Sequence, residues 1–323
     1  MPIITFKEHE YTCEPGETIL ACLRRHRVFV PYACQSGVCQ SCMMQAVHGQ
    51  PTQEAQHGLK DTLVEQQHFL ACMCKPEEDM EVSLFDASKV WEQAEVVEHN
   101  PLNESVVRIR LKTAGNIKYK AGQFINIKHP TQEDCIRSYS LASLPDEETL
   151  ELHIKRMPDG IMSNFLHDEL SIGDQLNIMG AMGECFYTSR DAEQPILMIG
   201  IGTGLAPLYG ILRDAISQEH QGHIHLYHAS LATAGLYYID ELQDVAHDTP
   251  NLSYTPCVLH GDAPEGGQQG DIKHIIAQRH ADLKGYRVYV CGDPAMVDQL
   301  KKHCFLSGAS MSDIYSDPFD FTA

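Results

Sequence analysis

The first 25 residues pass from strand-like to helix-like spacing of apolar side chains. Ile4 and Phe6 alternate with polar neighbours, and Tyr11 and Cys13 do the same after a short polar turn, which predicts a β-hairpin. A turn at Pro15-Gly16 follows, and the apolar residues then fall on one helical face, which predicts a helix that starts at Glu17. That face comprises Ile19, Leu20 and Leu23.

A second pattern starts at Trp91, where several short segments have apolar residues at every other position. Turn residues such as Gly122 separate them, so the pattern predicts short antiparallel strands that close into a six-stranded barrel. Val107, Ile109 and Leu111 alternate with polar neighbours, as do Leu150, Leu152 and Ile154, and Phe124, Ile125 and Ile127 follow the Gly122 turn.

A third pattern starts near Gln194. The continuous apolar run 196–199 is typical of a parallel strand buried on both faces, and residues 208–215 then have helical apolar spacing. Further strands are predicted at 223–229 and 287–290, which favours a Rossmann-like parallel α/β domain. We therefore predict three domains, at 1–87, 88–193 and 194–323, with a linker at about 85–90.

The composition of the chain argues against some classes of partner and indicates a cellular compartment. The net charge of -20 argues against nucleic acid or an anionic membrane as a partner. No apolar run approaches 18 residues, and the start of the chain lacks the features of a signal peptide. Twelve cysteines without an export signal predict ligands or free thiols in a reducing, cytoplasmic compartment.

Four cysteines have the spacing of a metal centre. Cys34, Cys39 and Cys42 form a C-x4-C-x2-C pattern, and Cys72 follows after 29 intervening residues. This spacing predicts a plant-type [2Fe–2S] cluster. A structural zinc site is the alternative, but zinc sites favour paired knuckles, and no second knuckle with a short spacer follows. Cys74 competes with Cys72 as the fourth ligand.

The N-terminal region resembles the plant-type ferredoxins. In that family the last ligand stands four residues before a proline, and Cys72 and Pro76 fit this pattern whereas Cys74 does not. The resemblance implies a β-grasp fold, with Cys34, Cys39, Cys42 and Cys72 as ligands and Cys74 as a bystander.

Two segments of the predicted barrel suit a flavin nucleotide. Arg137 offers a fixed positive charge to phosphate, and Tyr139 a flat face to an isoalloxazine ring. In 160–163, Ser163 is predicted to cap a helix whose first N–H groups suit a pyrophosphate. Each segment alone is a weak signal.

Two segments of the third domain suit a nicotinamide nucleotide. The glycines of 200–204 lie between a strand and a helix, where a pyrophosphate can approach the backbone, although the spacing is not G-x-G-x-x-G. The strand at 287–290 leads into Cys291-Gly292-Asp293-Pro294. Taken alone, Cys291 is interpreted as a buried core thiol.

In this order, the motifs resemble the ferredoxin-NADP⁺ reductase superfamily. Residues 121–124 and 180–183 agree with it, except that Ala181 stands where the family usually has proline. The resemblance implies FAD, with FMN less favoured, and a nicotinamide cofactor. The flavin-site residues it implies are Arg137, Ser138, Tyr139, Ser140, Leu141, His153, Lys155, Gly160, Ile161, Met162 and Ser163. The nicotinamide-site residues it implies are Gly200, Gly202, Thr203, Gly204, Cys291, Gly292, Asp293 and Pro294.

The resemblance also implies catalytic roles for Thr203 and Cys291, and for an aromatic residue near the C-terminus that covers the flavin. Phe319 is the first candidate and Phe321 the second, while a chain end packed on the last strand is the alternative. Because no basic residue lies in 230–238 to meet a 2′-phosphate, we expect NADH rather than NADPH.

Two other groups of residues have weaker signals. His223, His225 and His228 are interpreted as solvent-facing strand histidines rather than metal ligands. The run Arg24, Arg25 and Arg27 could be a docking patch, but the solvated side of a helix is the favoured interpretation.

The order of the three domains resembles the reductase components of bacterial multicomponent oxygenases. It implies transfer of electrons from NADH through FAD and the [2Fe–2S] cluster to an oxygenase or hydroxylase component, directly or through a separate ferredoxin. The chemistry agrees, because a flavin can accept a two-electron hydride and release electrons singly to a cluster. The alternatives are an oxidase or ferric reductase that serves a small acceptor, and a redox-sensing binding module.

Overall fold

The computed structural model describes residues 1–30, 32, 35, 37, 42–84, 91–115, 117–132 and 135–319. Cys34, Cys39, Phe321 and the predicted linker therefore lie outside the described residues. The chain divides into two compact units, Met1–Lys89 (the N-terminal unit) and Val90–Ala323 (the C-terminal unit).

The N-terminal unit is a five-stranded sheet crossed by a helix, as predicted. Its order is β2-β1-β5-β3-β4, with β1 and β2 forming the predicted antiparallel hairpin and β1 pairing parallel with β5. The helix starts at Ile19 rather than Glu17, because the Thr18 hydroxyl caps it by accepting from the Ala21 N–H at 3.2 Å. The elements are β1 Ile3–Phe6, β2 His9–Thr12, α1 Ile19–Arg25, β3 Met43–His48, α2 Gln53–Gln56, α3 Asp61–Glu65, β4 His68–Leu70 and β5 Met80–Leu84.

The first half of the C-terminal unit is the predicted antiparallel barrel. Its six strands have the order β10-β7-β6-β11-β8-β9, and an antiparallel bridge between Leu141 and Leu152 joins the two end strands. Apart from the half-buried Phe124, the apolar residues predicted to face the barrel interior are buried inside it. The strands are β6 Glu92–Pro101, β7 Val106–Thr113, β8 Phe124–Lys128, β9 Ile136–Ser140, β10 Leu150–Lys155 and β11 Gln175–Met182.

The predicted helix after Gly160 is short and irregular. Helix α4, Ile161–Asn164, continues as a π-helix at Phe165–Glu169. The prediction that Ser163 caps its start is wrong, because Ser163 is the third helical residue. Its hydroxyl accepts from the Met157 N–H at 3.1 Å and so fastens the preceding loop instead.

The second half of the C-terminal unit is the predicted parallel α/β domain. Its sheet has the order β15-β14-β13-β12-β16-β17, with every pairing parallel. The run 196–199 forms the buried central strand β12. The elements are β12 Ile196–Ile201, α5 Leu205–Ser217, β13 Ile224–Ser230, α6 Ile239–Asp248, β14 Leu252–Val258, β15 Gln268–Gln269, α7 Ile272–Arg279, β16 Arg287–Gly292, α8 Pro294–Leu306 and β17 Ile314–Pro318.

The prediction of solvent-facing histidines is wrong for two of the three. His223 is exposed, but His225 and His228 are buried because β13 lies inside a sheet covered on both faces. His225 Nε2 lies 2.9 Å from Thr255 Oγ1, and its ring stacks on Tyr227. Burial lowers the pKa of His225 to about 3, so this ring is neutral.

Among the described residues, no helix has both the length and the apolar character needed to cross a membrane.

Candidate functional site

Two of the four predicted cluster ligands are described, and they lie side by side. Cys42 stands just before β3 and Cys72 just after β4, and these strands are paired. The Ala71 N–H donates to the Cys42 carbonyl at 3.1 Å, which holds the two segments together. Burial and a hydrogen bond with the Cys72 thiol raise the pKa of Cys42 to about 11. The fold therefore joins two soft sulfur donors at one point.

Cys74, the competing ligand, is fully buried elsewhere in the core. Burial raises the pKa of its thiol, which hydrogen-bonds to Thr52. The carbonyl of Cys74 accepts from the Ile19 N–H at 2.8 Å, so this residue anchors the start of α1. The structure thus gives Cys72 and Cys74 different neighbours.

The predicted flavin residues of β9 differ in their burial and in their contacts. Tyr139 is half-buried and packs against the barrel core, and burial raises its pKa although Arg137 opposes this. Arg137 Nη1 donates to the Ile136 carbonyl at 2.8 Å. Ser138 is exposed and donates to Asn126 Oδ1 at 2.7 Å. An aromatic face and a guanidinium therefore stand two residues apart on one strand.

The next residue of β9 reaches the other half of the unit. The Ser140 hydroxyl donates to Asp317 Oδ2 at 2.6 Å, although the two residues are 177 positions apart. Burial raises the pKa of Asp317 to about 6, and the Ser140 hydrogen bond only partly offsets it. Asp317 was not predicted from the sequence. Its only signal was an acidic residue two positions before the candidate aromatic Phe319.

Polar residues on the outer face of β10 form a hydrogen-bond network with residues of the α/β half. His153 is buried, with Nε2 2.9 Å from Glu151 Oε1 and Nδ1 3.2 Å from the Tyr237 hydroxyl. Burial raises the pKa of Glu151, but His153 and Arg110 outweigh it and bring the pKa to about 2. The predicted cofactor residue His153 therefore has both ring nitrogens occupied within the protein, while Lys155 is exposed.

The predicted flavin residues after β10 lie in the loop and at the start of α4. Gly160 is the residue before the helix, Ile161 is half exposed, and Met162 is buried. With only four residues, α4 offers a short row of backbone N–H groups.

The glycine-rich turn after β12 combines an open position with a crowded one. Gly202 has φ of +58° and no heavy atom within 4 Å of where a Cβ would stand. Gly204 lies directly under the backbone of Cys291, whose carbonyl oxygen a Cβ would strike. Thr203, between them, is buried. A flat ligand can therefore approach the backbone at Gly202, while Gly204 lets the turn pack against β16.

The predicted nicotinamide residues at the end of β16 adjoin this turn. Cys291 is fully buried, and its Sγ lies 3.8 Å from Sγ of Cys185. Burial raises the pKa of Cys291 well above its usual range. Asp293 caps α8 by accepting from the Met296 N–H at 3.0 Å, and Pro294 is the first helical residue. These last two residues thus have a structural role.

The C-terminal aromatic candidate lies at the same edge of the sheet. The Phe319 N–H donates to the Gly292 carbonyl at 2.8 Å, and its side chain is half-buried. Asp317, two residues earlier, pairs with Cys291 across β16 and β17. The structure therefore brings together the end of β9, the end of β16, the tail and the glycine-rich turn.

The segment after β13 has no basic side chain. Leu231 is 69% exposed just beyond the carboxyl end of that strand, where a dinucleotide site meets the adenosine ribose.

Three family models match the chain in succession. The 2Fe–2S iron–sulfur cluster binding domain matches residues 4–77, the oxidoreductase FAD-binding domain residues 93–187, and the oxidoreductase NAD-binding domain residues 198–302.

Whole-length relatives agree with this order of domains. The ferredoxin–NAD(P)⁺ reductase component of the naphthalene 1,2-dioxygenase/salicylate 5-hydroxylase systems of a Ralstonia species is 30% identical over 95% of this chain and 94% of its own. The reductase subunit of an aromatic O-demethylase from Amycolatopsis is 32% identical over 88% of this chain and 89% of its own. A crystal structure of a cytochrome P450 reductase from Amycolatopsis superposes with a TM-score of 0.69, at 27% identity over 99% of both chains.

Proposed function

The chain belongs to the family of iron–sulfur flavoprotein reductases that includes the reductase components of bacterial oxygenase systems, and from this premise we propose which residues carry its electrons and which acceptor it serves. It is an electron-transfer oxidoreductase with [2Fe–2S], FAD-binding and NAD-binding domains. Its electrons pass from NADH through FAD and the cluster. We propose that the acceptor is an oxygenase or hydroxylase component, reached directly or through a separate ferredoxin.

The main observation behind the residue roles is the meeting of four segments at one edge of the α/β sheet. Tyr139 offers a face to the flavin ring, Arg137 a charge to its phosphates, and Phe319 an opposing aromatic side chain. Cys291 and the turn at Gly202 border the same place. A flavin bound there supplies the conversion of one hydride into two single-electron transfers. The residues' own task is to hold two flat rings in contact and exclude water.

The proposed route to the acceptor passes through a cluster held by cysteines of the N-terminal unit. Cys42 and Cys72 adjoin each other and are buried, which fits a cluster held by thiolates with Cys34 and Cys39 as the other two ligands. We further propose a cytoplasmic location, because none of the ten cysteines among the described residues forms a disulfide.

Iron analysis tests the ligand assignment and the composition together. The purified protein should contain two irons, two acid-labile sulfides and one flavin per chain. Cys72→Ser should lose the cluster because its sulfur faces Cys42. Cys74→Ser, the matched control, should keep its iron because this thiol faces Thr52. Iron kept in the first variant and lost in the second would reverse the assignment.

Nicotinamide preference tests the role of the segment after β13. With no basic side chain in 230–238, NADH should be favoured over NADPH by about tenfold or more in kcat/KM with ferricyanide, or about 1.4 kcal/mol. Leu231→Arg should raise kcat/KM for NADPH, because a guanidinium there can meet the 2′-phosphate. Leu306→Arg, on α8 and equally exposed, should change neither value. An NADPH preference in the wild type would contradict the proposal.

A further inference from the structure

The end of α1 carries positive charge in a strongly acidic chain. The chain has 24 basic and 44 acidic residues, yet Arg24, Arg25 and Arg27 stand together here. Arg25 is paired with Glu17 at 2.8 Å. Arg24 and Arg27 are both exposed, and neither forms an ion pair with any described residue. No described carboxylate neutralises either of these two charges, so both can attract another molecule.

Exposed aromatic surface adjoins these charges. Phe29 is 80% exposed and Tyr32 is 40% exposed, and the Arg24 guanidinium lies 4.2 Å from the centre of the Tyr32 ring. The turn after α1, with φ of +62° at Arg27, directs Val30 into the core and leaves Phe29 outside. A single exposed apolar side chain is ordinary, but a phenyl group beside two uncompensated guanidinium groups is the composition of an interface centre.

We propose that this basic–apolar patch (Arg24, Arg27, Phe29 and Tyr32) is the docking surface for an acidic, one-electron acceptor protein. The inference rests on the proposed function, in which electrons leave through the cluster. Arg24 Nη1 donates to Gln35 Oε1 at 3.1 Å, and Gln35 follows the predicted ligand Cys34 in the sequence, so a partner seated here adjoins the predicted cluster segment. The charge of the remaining chain repels an acidic protein, and the two arginines attract it and orient its approach. Phe29 then enters an apolar pocket of the partner.

Two haem proteins of opposite charge serve as probes for the holoprotein. Cytochrome b5 is acidic and cytochrome c is basic, and both accept single electrons. The double variant Arg27→Glu/Phe29→Ser reverses one charge and removes one phenyl group from the patch. Lys302→Glu/Phe305→Ser makes the same two changes on α8, where both residues are also exposed.

The patch variant should lower kcat/KM for cytochrome b5 by roughly tenfold at low salt, and less at high salt, where charges are screened. Its rate with cytochrome c should not fall, because a more acidic patch attracts a basic protein. Iron content and NADH–ferricyanide turnover should stay unchanged, and the α8 variant should match the wild type with every acceptor.

Several results would overturn the proposal. The proposal fails if the patch variant reduces cytochrome b5 as well as the wild type does. It also fails if the α8 variant loses as much activity with cytochrome b5, or if the patch variant loses as much activity with cytochrome c. If the double variant loses iron, the single variant Arg27→Glu becomes the test and Lys302→Glu its control. Arg27→Glu should keep the cluster, because the Arg27 side chain has no hydrogen-bond or ion-pair partner among the described residues. Wild-type protein that reduces ferricyanide but neither cytochrome would refute the exit through the cluster and the docking surface with it. Reduction of both cytochromes, insensitive to the patch, refutes the docking surface alone.

Discussion

Single residues acquire their chemistry here from neighbours far away in the chain. The sequence predicted a phosphate-binding arginine and a flavin-stacking tyrosine on β9, but the partner of Ser140 could not be found, because Asp317 lies on a different strand of the other half. The burial of His225 and His228 was missed for a similar reason. His225 enters the core beside the Thr255 hydroxyl of the neighbouring strand β14, and local spacing does not reveal that neighbour.

Asp317 should make stability depend on pH. Its pKa is about 6 in the folded protein against 3.8 for an unperturbed aspartate, so the folded state holds the proton more tightly. This favours folding below about pH 4, and the advantage is lost as the pH rises through 6. Asp317→Asn stays neutral, so at pH 7.5 it should melt roughly 3 °C above the wild type, with the difference shrinking toward pH 5.

Melting curves of both proteins between pH 5 and 8 check this expectation. Asp298→Asn, an exposed residue of α8, is the control and should follow the wild type at every pH. Parallel curves for Asp317→Asn and the wild type would show that the Asp317 carboxyl is not perturbed.

Elements were predicted best where one physical signal was strong. The buried run of β12 and the alternating barrel strands were confirmed, because continuous and period-2 apolar patterns correspond to sheets covered on two faces or one. The segment after Gly160 was misread because α4 has only four residues before the π-helix, which is too short for capping signals to be informative. The position of the glycine-rich turn could be predicted from the sequence, but the separate roles of Gly202 and Gly204 could not, because they depend on the backbone of β16.

Two alanine substitutions separate those tasks. Gly202→Ala places a methyl group in open space where the nucleotide approaches, so KM for NADH should rise about tenfold while stability falls by about 1 kcal/mol because of the positive φ. Gly204→Ala forces a methyl group against the backbone of Cys291 and Gly292, so it should lose more stability, about 2–3 kcal/mol. Melting temperatures would contradict this account if Gly202→Ala lost more stability than Gly204→Ala, and so would an unchanged KM for NADH in Gly202→Ala.

At the scale of the whole molecule, the order of domains could be inferred from motif order alone. The matched ranges 4–77, 93–187 and 198–302 follow one another as the motifs do, and the fold falls into two compact units, with the barrel and the α/β sheet in one of them. The contacts that join these two halves could not be predicted, because they pair residues far apart in the chain, such as Arg108 Nη1 and the Tyr238 hydroxyl, 2.9 Å apart in space and 130 positions apart in sequence.

The central claim is that electrons enter through the C-terminal unit and leave through the cluster. A fragment of residues 90–323 tests it directly, because this unit has its own cores and both nucleotide-binding halves. Ferricyanide accepts electrons from the flavin, whereas cytochrome c should need the cluster. The fragment should keep most NADH–ferricyanide activity and lose most NADH–cytochrome c activity. Cytochrome c reduction at the full-length rate would contradict the account.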